Sequence, residues 1–129
     1  MPATVEGASA MTEAQLQGLV FEHVRARGAP RTFLFHPMNG GIHQIGRRAG
    51  INSAMGVVSG VPDLIGVREG RFFALELKTE NGPLSDAQQD VLIRLREASA
   101  TATHAHGLDQ ALQILERWQL LRGNRRTSR

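Results

Sequence analysis

A chain of 129 residues with 41% hydrophobic content suits a single domain around one core. It has no cysteine, which excludes disulfides and thiolate metal sites, and no apolar run near the ~20 residues that span a bilayer, so no membrane partner is expected. The net charge of +3 is uneven, because four arginines (122, 125, 126 and 129) crowd the last eight residues and leave the remainder slightly acidic.

The first residues, Met1 to Gly7, lack the basic and apolar regions of a secretory signal, so a cytoplasmic location is expected. Residues 1–10 are small and polar and read as a flexible lead. Residues 122–129 read as a disordered basic tail suited to non-specific phosphate contact. Between them, 11–121 should form the folded domain.

The domain opens on a helix start. Thr12 is the expected N-cap, Gln15 completes a capping box, and Met11 with Leu16 forms a hydrophobic staple. The helix should run to about Arg27 and end at Gly28 and Pro30. At 100° per residue, Glu13, Leu16, Gln17, Val20 and Val24 share one stripe, and Glu22 points the opposite way. A carboxylate on the inward stripe needs a partner, because unpaired buried charge is costly. Glu13 is also favoured at that position by the helix dipole alone.

Thr32-Phe33-Leu34-Phe35 reads as a short strand. Residues 36 to 60 are glycine-rich, with a helix expected around Arg47–Ala54, and a loop of that length in a compact domain is usually functional or mobile. No acid occurs between Glu22 and Asp63, while Arg25, Arg27, Arg31, Arg47, Arg48, His23, His36 and His43 fall in that interval. A basic region preceding an acidic centre suggests a polyanion lying across a metal site. His36 and Asn39, just after the first strand, are candidates to touch phosphate or a base, as are Arg47 and Arg48. A turn role for Asn39 is equally ordinary.

Val61-Pro62-Asp63-Leu64-Ile65-Gly66-Val67 and Phe72-Phe73-Ala74-Leu75-Glu76-Leu77-Lys78 flank a short turn and read as a β-hairpin. With the turn centred on Glu69-Gly70, Val67 faces Phe72, Ile65 faces Ala74 and Asp63 faces Glu76. Opposed side chains lie roughly 4.5–5.5 Å apart, and like charges there repel. Alternation puts Lys78 on the face of Glu76. Two opposed carboxylates beside an ammonium make a cradle for a divalent cation. The competing reading is an exposed hairpin face with a Glu76–Lys78 pair and Asp63 capping a turn.

After the break at Asn81-Gly82-Pro83, Ser85 caps a helix to about Ala98 whose inward stripe is Gln88, Val91, Leu92 and Leu95. Thr101 to His106 reads as a strand, and Leu108 to about Leu121 as the last helix, with Trp118 in the core. His104 and His106 share a strand face, but no third zinc ligand is evident, which favours a core or surface role.

These motifs carry a family resemblance. Pro62-Asp63 followed by Glu76-x-Lys78 resembles the PD-(D/E)xK nuclease motif. The wider pattern resembles its VRR-NUC branch, including small stand-alone phage and bacterial members. It comprises Glu13-x-x-Leu16-Gln17, Asn39-Gly40-Gly41, Gly60-Val61-Pro62-Asp63-Leu64, Glu76-Leu77-Lys78 and Leu84-Ser85-x-x-Gln88, spanning roughly residues 11 to 120. A lone E-x-K is a weak signal, but five motifs in order are a strong one.

The resemblance implies an α/β, restriction-endonuclease-like core, a small mixed sheet flanked by helices. It implies a Mg²⁺- or Mn²⁺-dependent DNA endonuclease with no nucleotide cofactor. Asp63, Glu76, the Leu77 carbonyl and Glu13 would contact the metal, Glu13 either directly or through water. Lys78 would orient the attacking water or stabilise developing charge. Gln88 is assigned to the site, although Ser85-x-x-Gln88 is itself a capping box, and both roles could hold at different times. Junction-cleaving relatives of this kind act as dimers, so branched DNA and a homodimer are expected. The alternatives are a nicking or end-processing nuclease on simpler DNA, or a binding module that kept the fold without hydrolysis.

Overall fold

A computed structural model describes residues 10–38 and 54–123. Expectations for the N-terminal lead, for Asn39, Arg47 and Arg48, for nearly all of the helix placed near Arg47–Ala54, and for most of the basic tail lie outside these residues.

Helix α1 runs Glu13–Arg27, and the Thr12 hydroxyl accepts from the Gln15 N–H at 3.0 Å while the Thr12 N–H donates to Gln15 Oε1 at 2.9 Å. These reciprocal bonds satisfy orphan donors at the helix start. Leu16 and Val20 are buried, Gln17 is half-buried and Glu22 is exposed, in line with the expected stripe, but Glu13, placed on that stripe at the first turn of the helix, is exposed. Gly28 ends the helix in an extended conformation, not a left-handed one, and its N–H bonds the Val24 carbonyl at 2.9 Å.

Four strands follow: β1 Thr32–Phe35, β2 Leu64–Arg68, β3 Arg71–Lys78 and β4 Thr101–His106. They lie in the order β1-β2-β3-β4, with β1/β2 and β2/β3 antiparallel and β3/β4 parallel, so the sheet is mixed as expected. The β2–β3 hairpin has the register read from sequence, with Val67 opposite Phe72 and Ile65 opposite Ala74. Glu69 and Gly70 both take positive φ, 53° and 77°, the turn that matches the twist of flanking strands. A parallel pair needs a crossover, and helix α2 (Asp86–Glu97) supplies it between β3 and β4.

Alternation gives the sheet two unlike faces. On one, Leu64, Phe73, Leu75, Leu77 and Ala105 pack with Leu16 and Val20 of α1 and with Ile114 and Leu115 of helix α3 (Leu108–Arg117). On the other, Ile65, Ala74 and Ala102 pack beneath Leu92 of α2.

The last helix stops short of Leu121. Trp118 caps it, Gln119 takes φ +65°, and the Leu120 N–H returns to the Leu115 carbonyl at 2.9 Å. Leu120 and Leu121 are buried beyond the helix, and Leu121 bridges to Gly28. Their apolar side chains fit the helical period, but burial against the end of α1 won. Trp118 is half-buried with its ring 5.3 Å from that of Phe73.

Candidate active site

The site forms where β3 outruns β2. Asp63 immediately precedes β2, and its Oδ2 accepts the Leu77 N–H at 3.0 Å. The side chain therefore extends a ladder that the backbone has ended. In a strand, a residue's N–H and C=O point to the same side. The Leu77 carbonyl is thus directed toward the Asp63 side, whereas the Lys78 carbonyl serves β4 by accepting from the Gly107 N–H at 2.8 Å.

Glu76 is 2% exposed, with Lys78 Nζ 3.9 Å from its Oε2. Gln88 Nε2 donates to the same Oε2 at 2.8 Å. Its other oxygen, Oε1, is buried without a hydrogen-bond partner. Burial first, and then the Asp63 charge, push the Glu76 carboxyl up to about 8, against the opposing pull of Lys78. Oε1 is thus the atom of this carboxylate that a cation could take, beside the Lys78 ammonium already near Oε2.

Lys78 itself is 7% exposed, and its ammonium lies between Glu76 and Glu13 Oε2, the latter at 3.5 Å. Glu13 therefore reaches the site through Lys78. Among the described residues no three acidic or imidazole side chains converge to hold an ion. The direct acidic donors that the geometry offers are Asp63 and Glu76. That donor set suits Mg²⁺ or Mn²⁺, which bind oxygen and retain water on the remaining positions. Gln17 makes no side-chain hydrogen bond among the described residues.

Gln88 makes its capping bond and a bond to Glu76 at the same time. Its Oε1 accepts from the Ser85 N–H at 2.9 Å, closing the cap of α2, while its Nε2 holds Glu76. An amide carries an acceptor and a donor on separate atoms, so nothing forces a choice.

Two positioning features were not evident from sequence. Gly60 takes φ +86°, and a Cβ there would stand 2.5 Å from the Ala87 carbonyl oxygen and 2.8 Å from the Gln88 nitrogen. Only glycine lets the segment before Asp63 pass so close to the start of α2. His104 and His106 stand beside Glu76 and Lys78 in the β3–β4 register. The His106 ring bonds the Gly82 carbonyl at 2.9 Å, tying down the turn after Lys78. The Nδ1 of His104 is buried without a partner, and burial, followed by the His106 and Arg96 charges, lowers its pKa.

His36 approaches from β1, its Nδ1 2.7 Å from the Asp63 carbonyl oxygen. Arg27, counted with the basic region, has a structural partner. Its guanidinium pairs with Glu116 at 2.6 Å and also bonds the Arg122 carbonyl, locking the end of α1 to the C-terminal turn.

The profile of the VRR-NUC domain matches residues 15–109 of this chain. A solved structure titled "VRR_NUC domain protein" superposes with a TM-score of 0.70 at 21% identity, covering 88% of this chain and 93% of that one. Another, titled "VRR_NUC domain", gives 0.57 at 19% identity over 82% and 96% of the two chains. At these identities the likeness is one of fold. No curated protein matches the sequence.

Proposed function

Because this chain belongs to the VRR-NUC domain family, a family of nucleases, we propose that it is a Mg²⁺- or Mn²⁺-dependent endodeoxyribonuclease acting on branched DNA such as a four-way junction. The observation that carries the metal reading is Glu76: one oxygen is held by Gln88, the other is buried and unpartnered, and burial, followed by the Asp63 charge, raises its proton affinity.

When bound, the cation would lower the pKa of a water and relieve charge on the phosphate. Asp63, Glu76 and the Leu77 carbonyl are the groups that would hold it. The Leu77 N–H fixes Asp63 against β3, and Gln88 fixes Glu76 against rotation. Lys78, braced between Glu13 and Glu76, presents an ammonium that orients the attacking water or stabilises charge developing on the phosphate. Glu13 acts by setting that ammonium, with any contact to the cation made through water. His36, Asn39, Arg47 and Arg48 are proposed to contact the DNA. They belong to an acid-free interval, and His36 is already seated on Asp63.

The active unit is a homodimer. One chain carries one carboxylate pair, and symmetric resolution of a junction requires two; a C₂ pair provides them. Light scattering should give twice the 14.1 kDa chain mass. Purified protein with Mg²⁺ or Mn²⁺ should cut a four-way junction in preference to duplex, flap or single-stranded DNA. A monomer that only nicks simple duplex would replace this reading with an end-processing nuclease.

A further inference from the structure

We propose that Phe33 and Phe35 form a stacking platform for unpaired bases of the DNA strand held at the Asp63–Glu76 site. The proposal rests on the nuclease reading and names the feature of branched DNA that the protein recognises. Register places Phe33 opposite Val67 and Phe35 opposite Ile65, and these stand opposite Phe72 and Ala74 in turn. All six share the sheet face on which α2 packs. That helix covers Ile65 and Ala74. It leaves the β1 end bare: Phe33 is 66% exposed and Phe35 37%, with Val67 and Phe72 exposed beside them. The two phenyl rings sit 5.3 Å apart at 34°.

Alternation puts Glu76 on this same face, next in line after Ala74, and Asp63, just before β2, reaches across to the Leu77 N–H beside it. Two residues along a strand advance roughly 6.6 Å, so the row from Phe33 through Phe35 leads toward the carboxylates in base-sized steps. His36 follows directly, and its bond to the Asp63 carbonyl fixes the end of β1 to the site. An exposed apolar patch marks a binding surface.

Charge selects the occupant. Arg31 is exposed immediately before β1, in an interval from His23 to Pro62 that contains no acid, which suits a polyanion. Phenyl rings stack on any base whatever its identity, but a duplex conceals its base faces. An unpaired arm or a splayed junction centre exposes them.

The test is equilibrium binding of the full chain, with Ca²⁺ in place of Mg²⁺, to single-stranded, splayed-arm and blunt duplex DNA carrying 2-aminopurine. Phe33→Ala with Phe35→Ala should weaken the single-stranded and splayed DNAs by about tenfold or more and abolish 2-aminopurine quenching. Duplex binding should change less than about twofold. Phe33→Leu with Phe35→Leu keeps the apolar cover but removes the π faces, so quenching should again be lost.

Equal weakening on all three DNAs, or full rescue by the leucines, would overturn the platform. So would a halved mass in light scattering, which would assign the patch to a second copy. A lowered melting temperature in the alanine variant would likewise assign it to cover by the chain itself. A wild type that binds none of the DNAs would overturn the nuclease reading, whereas one that binds them and ignores the substitutions would overturn only the platform.

Discussion

Gln88 donates to Glu76 through Nε2 at 2.8 Å while its Oε1 closes the cap of α2 at Ser85, 2.9 Å away. A helix terminus and a candidate metal ligand are thereby tied to one side chain. Gln88→Ala should cost about 1 kcal/mol of stability, as cap losses do. It should also weaken Mn²⁺ binding by roughly 10–100-fold, as removal of an outer partner of a ligand does. Thermal melts and Mn²⁺ titration read the two effects separately. A variant that loses stability but binds Mn²⁺ like wild type would reduce Gln88 to a cap.

The protonation of Glu76 predicts a pH dependence. Its pKa rises from 4.5 to about 8 on folding, so the folded state binds more protons than the unfolded state between those values. Stability of the metal-free protein therefore falls as pH rises through that window. Cation binding requires the carboxylate, so it should tighten up to about pH 8 and release on the order of one proton below it. Melts from pH 5 to 9 with and without Mg²⁺ check both signs. Glu76→Gln should flatten the metal-free profile, and an unchanged profile would place the titration elsewhere.

Gly60 and Gly18 offer opposed backbone tests. Gly60→Ala forces a Cβ to 2.5 Å from the Ala87 carbonyl at φ +86°, so it should destabilise by about 1–3 kcal/mol and impair cleavage. Gly18 lies in the middle of α1 with nothing within 4 Å of its would-be Cβ. Gly18→Ala should stabilise by about 0.5–1 kcal/mol without touching activity. Denaturant midpoints and a cleavage assay decide both.

How much was legible in the sequence followed the range of the interactions. The capping boxes at Thr12 and Ser85, the strand Thr32–Phe35 and the hairpin register all depend on neighbours, and the structure has them as read. The hairpin brings Asp63, just before β2, near Glu76 because only a short turn separates β2 from β3. The parallel β3–β4 pairing links residues far apart in sequence, so nothing local indicated that His104 and His106 would stand beside Glu76 and Lys78. Gly60 belongs to a motif legible in the sequence, but its need for positive φ arises from α2, a later element. Leu120 and Leu121 fit the helical period of α3, which extends the expected helix to Leu121. Only the return of the chain onto Gly28 shows why the helix ends at Arg117.

The arginine tail carries a salt prediction. Truncation after Gly123 removes arginines 125, 126 and 129. If each contacts one phosphate, the slope of log K against log salt should shrink by up to about 0.9 per arginine. The cleavage position should stay fixed. A shifted cut in the truncated protein would show that the tail positions the substrate.

The most direct test compares wild type, Glu76→Ala and Lys78→Ala on a labelled four-way junction with Mg²⁺, with chelator, and after folding has been verified by melting. The predicted result is cleavage by wild type with Mg²⁺ alone, and loss of cleavage in both variants while junction binding persists. Undiminished cutting by either variant, or by wild type in chelator, would contradict the assignment of the chemistry to the Asp63–Glu76–Lys78 cluster.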